Sequence, residues 1–493
     1  MPSSTPRFAP GTPAAYWRVQ RTPINLQRLV EALLPANPTL VWLDSARFHP
    51  ATGRFSIVGW DPWLSLSALG PNVTCATGHA FTKTSGDPLE VLRGTLARYP
   101  GVRTGEASPP VGLGFLGVFS YELNRWIERL PPPKADDGDT PDLLVFGMRL
   151  LVVVDRLERT SWLISVADPS RSDAQARRDA AARLEELEHL VEFVAFVDAR
   201  AQASVAKTAL RVEPTMSQEQ FELIVRRAKQ HIRSGEIFQA NLSQRFHASW
   251  SGSTWQLYLA LRQVNPSPFA CFVQSPSVSI VSCSPERLVH VRDGYAQTRP
   301  IAGTRPRGHT PQEDAVNSLE LLISDKERAE HLMLVDLERN DLGKICRPGS
   351  VTVDEFMTLE DYSHVIHIVS NVRGKLRDEV DTVEVIRAMF PGGTITGCPK
   401  VRCMEIIHAL EPVRRGFYTG SCGYLGFDGT VDLNILIRTF TAHPGRVAFH
   451  VGAGIVADSS PEREYHETLA KAGALLKALE LTAAGASTDV SVV

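Results

Sequence analysis

The chain has no uninterrupted apolar run of the ~18–20 residues that a membrane span needs. Its longest candidate, residues 143–154, is broken by Arg149. Residues 1–11 are polar and Pro-rich and lack the apolar stretch of a secretory leader. These two absences set the expectation of a soluble, cytoplasmic protein. An excess of charge of one sign is also missing: 52 Lys and Arg stand against 55 Asp and Glu, a net charge of −3. No basic stripe is interleaved with aromatics, so the electrostatic footprint of a nucleic-acid binder is absent. Cysteine is sparse and odd in number. Cys75, Cys271, Cys283, Cys346, Cys398, Cys403 and Cys422 contain no C-x-x-C pair, which reads as free, mostly buried thiols in a reducing compartment.

What is present is ordinary globular composition, 43% hydrophobic and 22% charged over 493 residues, with ample length for a large core. Short strands are expected at 40–43, 54–58, 64–69, 111–118, 143–154 and 161–166, followed by a helix over 173–194. Residues 198–212 lack periodicity and read as a linker. A helix then begins where Ser217 and Gln220 can form a capping box. It carries Phe221, Ile224, Val225, Ala228 and Ile232 on one face and stops at Gly235. Strands near 238–246 and 279–282, a hairpin at Asp293-Gly294 and one long helix over 313–337 come next. Helices are expected near 383–390 and 400–410, strands near 420–427, 433–439 and 447–456, and a final helix over 461–479. There is no βαβ rhythm and no repeat, which argues for an α+β fold.

Two acidic pairs carry chemistry. Glu327 and Glu330 share one helix face, and Glu464 and Glu467 have the same spacing on the last helix. Carboxylates facing each other from two helices can hold a divalent cation, and hard oxygen donors without Cys favour Mg2+ over zinc. Read alone, such pairs are more often solvated surface charge. Their surroundings argue otherwise, because Glu330 runs into the apolar stretch 332–335 and Gly452-Ala-Gly454 lies just upstream of Glu467. A Gly-x-Gly after a strand lets backbone approach an anion closely. Pro391-Gly-Gly-Thr-Ile-Thr-Gly397 leads into Cys398-Pro-Lys400 and a helix. A Gly-rich turn opening a helix suits carboxylate binding through backbone N–H groups. It is not a P-loop, since Lys400 is not followed by Ser or Thr, and by itself it serves equally well as a tight structural turn.

Residues 215–481 resemble the chorismate-binding domain shared by anthranilate synthase component I, aminodeoxychorismate synthase component I, isochorismate synthase and salicylate synthase. The resemblance is carried by stretches 237–245, 284–288 (Ser-Pro-Glu-Arg-Leu), 299–308, 325–331 (Asp-Lys-Glu-Arg-Ala-Glu-His), 338–343, 390–407 and 451–472, in that order. Residues 1–200 resemble the N-terminal region of the anthranilate synthase component I type more loosely, and 482–493 read as a flexible tail. The fold implied is α+β, with two large mixed β-sheets packed as a sandwich and helices outside, shared by both parts of the chain. The roles implied are residue by residue. Glu330 and Glu467 bind Mg2+, with Glu327 and Glu464 as their helpers. Glu286 is the general acid that protonates the departing C4 hydroxyl. His367 and Thr304 line the pocket. Tyr418, Arg438 and Lys471 hold carboxylates, Arg438 by a bidentate clamp, with Gly452, Gly454, Thr396 and Gly397 lining the substrate. A non-catalytic paralogue would lack one of these carboxylates, and Glu286, Glu330 and Glu467 are all present.

The choice of nucleophile turns on Gln239. Members that add water carry a Lys there as general base. Gln has no useful basicity and fits ammonia, which is already a nucleophile. Between the two amine-transferring types, several features resemble aminodeoxychorismate synthase: Pro391-Gly-Gly-Thr, Asp44-Ser45 to His49-Pro50, and Arg54-Phe-Ser. Trp42-Leu-Asp-Ser45 stands where anthranilate synthases have a tryptophan-sensing Leu-Leu-Glu-Ser. Ala302 argues the other way. Many aminodeoxychorismate synthases have a nucleophilic Lys at this place, and Ala forms no covalent adduct. The expectation is Mg2+-dependent amination of chorismate to 4-amino-4-deoxychorismate, toward 4-aminobenzoate and folate, with anthranilate synthase component I as the alternative. None of the seven cysteines lies in a Gly-rich elbow, so ammonia is expected from a separate glutamine amidotransferase subunit.

Overall fold

The apolar run at 143–154 becomes the strand Leu143–Asp155 of the computed structural model. It pairs along its length with Phe55–Leu69 on one side and with Gly114–Phe119 and Thr160–Val166 on the other. A strand covered on both faces reads as continuously apolar rather than alternating. Arg149 is accommodated because its guanidinium reaches Asp61 and Asp168, each at 3.1 Å. Phe55–Leu69 is one strand where two were expected. Its register shifts between Pro62 and Leu64, as befits a proline that cannot donate to a ladder. The structure describes residues 14–78, 80–99, 109–111, 113–134, 140–168, 174–196, 210–308, 310–361 and 365–483. Most of the expected linker and nearly all of the tail lie outside them.

The N-terminal strands are hydrogen-bonded to C-terminal ones. Leu40–Asp44 pairs with Phe269–Gln274, and Gly114–Phe119 pairs with Ser421–Gly426. Among the described residues, 22 strands form one network, and the pairings that position the site are antiparallel. The α+β class is as expected. A core cluster drawn almost wholly from strands, including Val41, Ile57, Leu116, Phe146, Ile164, Val273 and Ile280, is the interior where strand layers face each other. A second cluster lies beneath the helices Leu26–Leu33, Thr254–Val264 and Pro461–Ala483, and a third beneath Pro88–Leu96, Asp325–Gly343 and Thr382–Met389.

Elements whose partners are neighbours in sequence form as their local signals imply. Both halves of the Ser217–Gln220 capping box are made. Asp293 and Gly294 take φ of 56° and 75°, the two left-handed positions of a tight hairpin turn. The long helix over 313–337 is instead two, Pro311–Ile323 and Asp325–Gly343, because Ser324 leaves helical geometry and caps the second through Glu327 N. The expected strand at 433–439 is likewise split. Val431–Asn434 and Thr439–His443 are separated by a turn in which Arg438 has φ of 52°. Among the described residues no helix is long and apolar enough to cross a membrane.

Candidate active site

Gln239 opens the strand Gln239–Ser249, which is paired with Gly397–Cys398 at its start and with Arg446–Ile455 thereafter. Three glycines shape the ground around it. A Cβ on Gly397 would sit 2.1 Å from Gln239 O, so only glycine lets the two segments meet. A Cβ on Gly454 would come within 2.5 Å of Gln239 Nε2 and 4.0 Å of Glu330 Oε1. One on Gly452 would meet Tyr418 Oη at 2.7 Å and Asn241 Oδ1 at 2.8 Å. The Gly-x-Gly of one strand is therefore covered by Gln239 and Glu330 at one glycine and by Tyr418 and Asn241 at the other. Gln239 is buried, and its Oε1 has no hydrogen-bond partner within the protein. A buried amide oxygen left open in this way asks for a donor from a ligand.

Glu286 lies in the turn between strands Ser279–Ser284 and Arg287–Arg292. Its carbonyl accepts Ile435 N at 3.0 Å, and its Oε1 accepts Thr394 Oγ1 at 2.7 Å. Burial pushes its carboxyl up to about 7, against the hydrogen bond from Thr394 and the positive charges of Arg438 and Lys471, which pull the other way. A carboxyl poised near neutrality beside two cations is a competent general acid.

His367 lies on the strand Val365–Lys375, and its Nδ1 is 3.1 Å from Gly303 O. A carbonyl only accepts, so Nδ1 carries the proton and Nε2 is an acceptor. Burial lowers the ring's pKa to about 4, which keeps it neutral. Gly303 (φ +64°) makes a bulge in the pairing between Ala302 and Thr304, and Ala302 is buried. Thr304 pairs with His367 through backbone, but its side chain lies outside the described residues. Tyr418 stacks on His450, with centroids 5.2 Å apart and planes at 10°. Burial raises its pKa, so it stays a neutral hydroxyl. Arg438 Nη1 donates to Asn265 Oδ1 at 3.1 Å. Thr396 is fully buried and spends its hydroxyl hydrogen inside its own loop, on Gly392 O at 2.9 Å.

The acidic pairs divide. Glu327 is tied to Arg305 at 3.3 Å. Lys471 Nζ bonds both Glu467 Oε1 (2.8 Å) and Gly452 O (3.0 Å). Glu464 is half-buried one turn before Glu467. Glu330 and the Lys471–Glu467 pair therefore reach the same Gly452–Gly454 segment from two helices. Among the described residues no group of three or more His, Cys, Asp or Glu side chains converges on a metal position. Two carboxylates are nevertheless a sufficient donor set for Mg2+, which keeps waters and takes substrate oxygens.

Sequence reasoning missed two groups that touch this machinery. Thr394 holds the acid, and its only signal was membership in the 391–397 run. Glu338 Oε1 lies 3.5 Å from where a Cβ on Gly393 would be, and burial together with Asp341 raises its pKa. A separate cleft of about 230 Å³ lies between N- and C-terminal strands, lined by Asp44, Ser45, Phe269, Arg287 and Tyr424 among others. It does not include Glu286, Gln239 or the two glycines.

Residues 50–477 match the family of chorismate binding enzymes. The chain is 42% identical over 454 residues to aminodeoxychorismate synthase component 1 of Bacillus subtilis, covering 92% of this chain and 94% of that one. It is also 42% identical over 466 residues to an anthranilate synthase component I-like protein of Synechocystis, covering 92% and 87%. Among solved structures, anthranilate synthase component I of Streptococcus pneumoniae superposes with a TM-score of 0.75 at 33% identity, covering 87% of this chain and 93% of that one.

Proposed function

The chain belongs to the family of chorismate binding enzymes, and from that premise we propose that it aminates chorismate at C4 to give 4-amino-4-deoxychorismate. The observations that carry this are Glu286, a buried carboxyl raised to about 7, and Gln239, a buried amide whose Oε1 is open. Glu286 gives its proton to the C4 hydroxyl, and the C4–O bond breaks with release of water. Ammonia, held by an N–H to Gln239 Oε1, supplies the electron pair for the new C4–N bond and then loses a proton. Gln239 cannot deprotonate water, which supports an amine rather than a hydroxide nucleophile. Arg438, Tyr418 and Lys471 bind the substrate's carboxylates and orient the ring.

Glu330 and Glu467 are the residues that would hold Mg2+, which when bound neutralises a chorismate carboxylate. Glu467 Oε1 also accepts from Lys471 Nζ, at 2.8 Å. Ammonia comes from a separate glutamine amidotransferase subunit. The "component 1" in the Bacillus subtilis relative's name supports a partner chain. Burial raises the pKa of five thiols, Cys75, Cys283, Cys346, Cys398 and Cys403, the reverse of an activated nucleophile.

Ala302 favours a second reading, anthranilate synthase component I, because it has no amine to form an adduct on the way to C4. Incubation with chorismate, ammonia at high pH and Mg2+, followed by chromatography, decides between them. The C4 reading expects a product that retains its enolpyruvyl group, yields 4-aminobenzoate only after a lyase is added, and leaves no chorismate-derived mass on the protein. Release of pyruvate with fluorescent 2-aminobenzoate overturns it.

A further inference from the structure

Arg415 belongs to none of the motifs above. It follows the helix Lys400–Leu410, and its side chain is 1% exposed. All five of its guanidinium N–H groups are used. Nε and Nη2 fork onto Glu411, at 2.9 and 2.7 Å. Nη1 reaches Ile395 O at 3.0 Å and Thr419 Oγ1 at 3.3 Å, and Nη2 reaches Asn241 O at 2.6 Å. Its faces lie against the rings of Tyr121 (4.8 Å) and Tyr418 (5.7 Å). Glu411, also buried, accepts Ser243 N at 2.7 Å and Ser243 Oγ at 3.0 Å.

Each atom held by this pair is one step from a group at the site. Ile395 follows Thr394, the donor to Glu286. Thr419 follows Tyr418, whose hydroxyl covers Gly452. Asn241 and Ser243 face Gly454 and Gly452 across the ladder. Three segments far apart in sequence are thus set at fixed spacing by one side chain. A buried ion pair contributes little to net stability compared with apolar packing, and what it can supply is unique registry.

We propose that Arg415, locked by Glu411, is a positioning residue for the amination: it holds the Gly393–Ile395 turn so that Thr394 stays on the Glu286 carboxyl, and it holds Tyr418 over Gly452. This rests on the reading of Glu286 as the acid. The bond from Thr394 opposes the upward push of burial on Glu286. Loosening the turn therefore raises the acid's pKa further, and the falling limb of the pH–rate profile moves to higher pH. The other charged groups acting on Glu286 are Arg438, Lys471 and Glu338, and none of them bonds Arg415.

The test is Arg415→Lys, which keeps the charge and loses the fork, with Glu411→Gln as the milder variant should the first fold poorly. The Glu286 titration is read without substrate, as the difference in carboxyl infrared absorption between each protein and its Glu286→Gln counterpart. The expected result is an upward shift of up to about one pH unit, the scale of one hydrogen bond to a carboxylate, with kcat reduced about 10- to 100-fold, as a 1 Å misplacement can do, and more than KM is changed. Thr394→Val should produce the same shift, and Arg415→Lys should add little on top of it. An unmoved titration in both variants, or shifts that add fully with Thr394→Val, overturns the proposal. Because the titration needs no turnover, a wild-type protein that leaves chorismate untouched would defeat the functional reading and not this one.

Discussion

Replacing Glu286 by Gln should weaken the enzyme and strengthen the fold. The carboxyl is buried and its pKa rises from 4.5 to about 7 on folding. Between those values the native state binds a proton that the unfolded chain has lost, so stability declines as pH rises through the window. The contribution is fully present below about 4.5 and gone above about 7. At ~1.4 kcal/mol per pH unit, the ionised carboxylate destabilises the native protein at pH 8 by roughly 3 kcal/mol. Gln keeps the shape and can still accept the Thr394 hydroxyl, but never ionises. For 493 residues, unfolding entropy amounts to roughly 1 kcal/mol per degree. Glu286→Gln should therefore melt about 3 °C above wild type at pH 8 and level with it near pH 4.5. Turnover should fall about 10²–10⁴-fold with chorismate still bound, the usual worth of a general acid. Paired melting curves and initial rates across that pH range are the assay. A variant less stable than wild type at pH 8, or one with undiminished turnover, would refute the reasoning.

Glu467→Gln should abolish the dependence of both activity and melting temperature on Mg2+ while leaving the fold intact, because only charge is removed; full wild-type activity in EDTA would contradict the assignment. Burial holds both His331 and His367 near pKa 4, so the unfolded chain takes up protons first and the stability these two rings contribute is lost as pH falls from about 6.5 toward 4, opposite in sign to the Glu286 contribution; a melting-temperature difference between wild type and His331→Asn that does not change with pH over that range would count against it. Gly397→Ala combines φ of 134° with a Cβ 2.1 Å from Gln239 O; it should cost about 3 kcal/mol or more and leave little folded enzyme, which circular dichroism and urea melts would report.

Features whose partners lie within a few residues were legible from the sequence. The Ser217 cap, the Asp293-Gly294 turn and the helix from Lys400 all depend on contacts within one turn of chain. The ordered motifs of residues 215–481 named the carboxylates, Gln239 and the glycines. The break at Ser324 is not marked in the sequence by Gly or Pro, only by the polar stretch 324–328, which a solvent-facing helical turn would carry equally well, and a cap is visible only when the backbone leaves the helix. Arg438 was expected inside a strand because its neighbours are β-formers, whereas the structure turns there and points its guanidinium toward Asn265.

By itself the sequence determined the family and most local elements and named the candidate reacting groups, since these reside in residue type and short spacing. Only the tertiary structure decided that Gly452 and Gly454 lie beneath side chains from four separate segments, because strand register is set by partners some 200 residues away. It alone decided the proton affinity of Glu286, which depends on how much water burial removes and on a Thr394 hydroxyl 108 positions distant. It alone made Arg415 a clamp, because a guanidinium's five partners are gathered by folding and leave no periodicity in the chain.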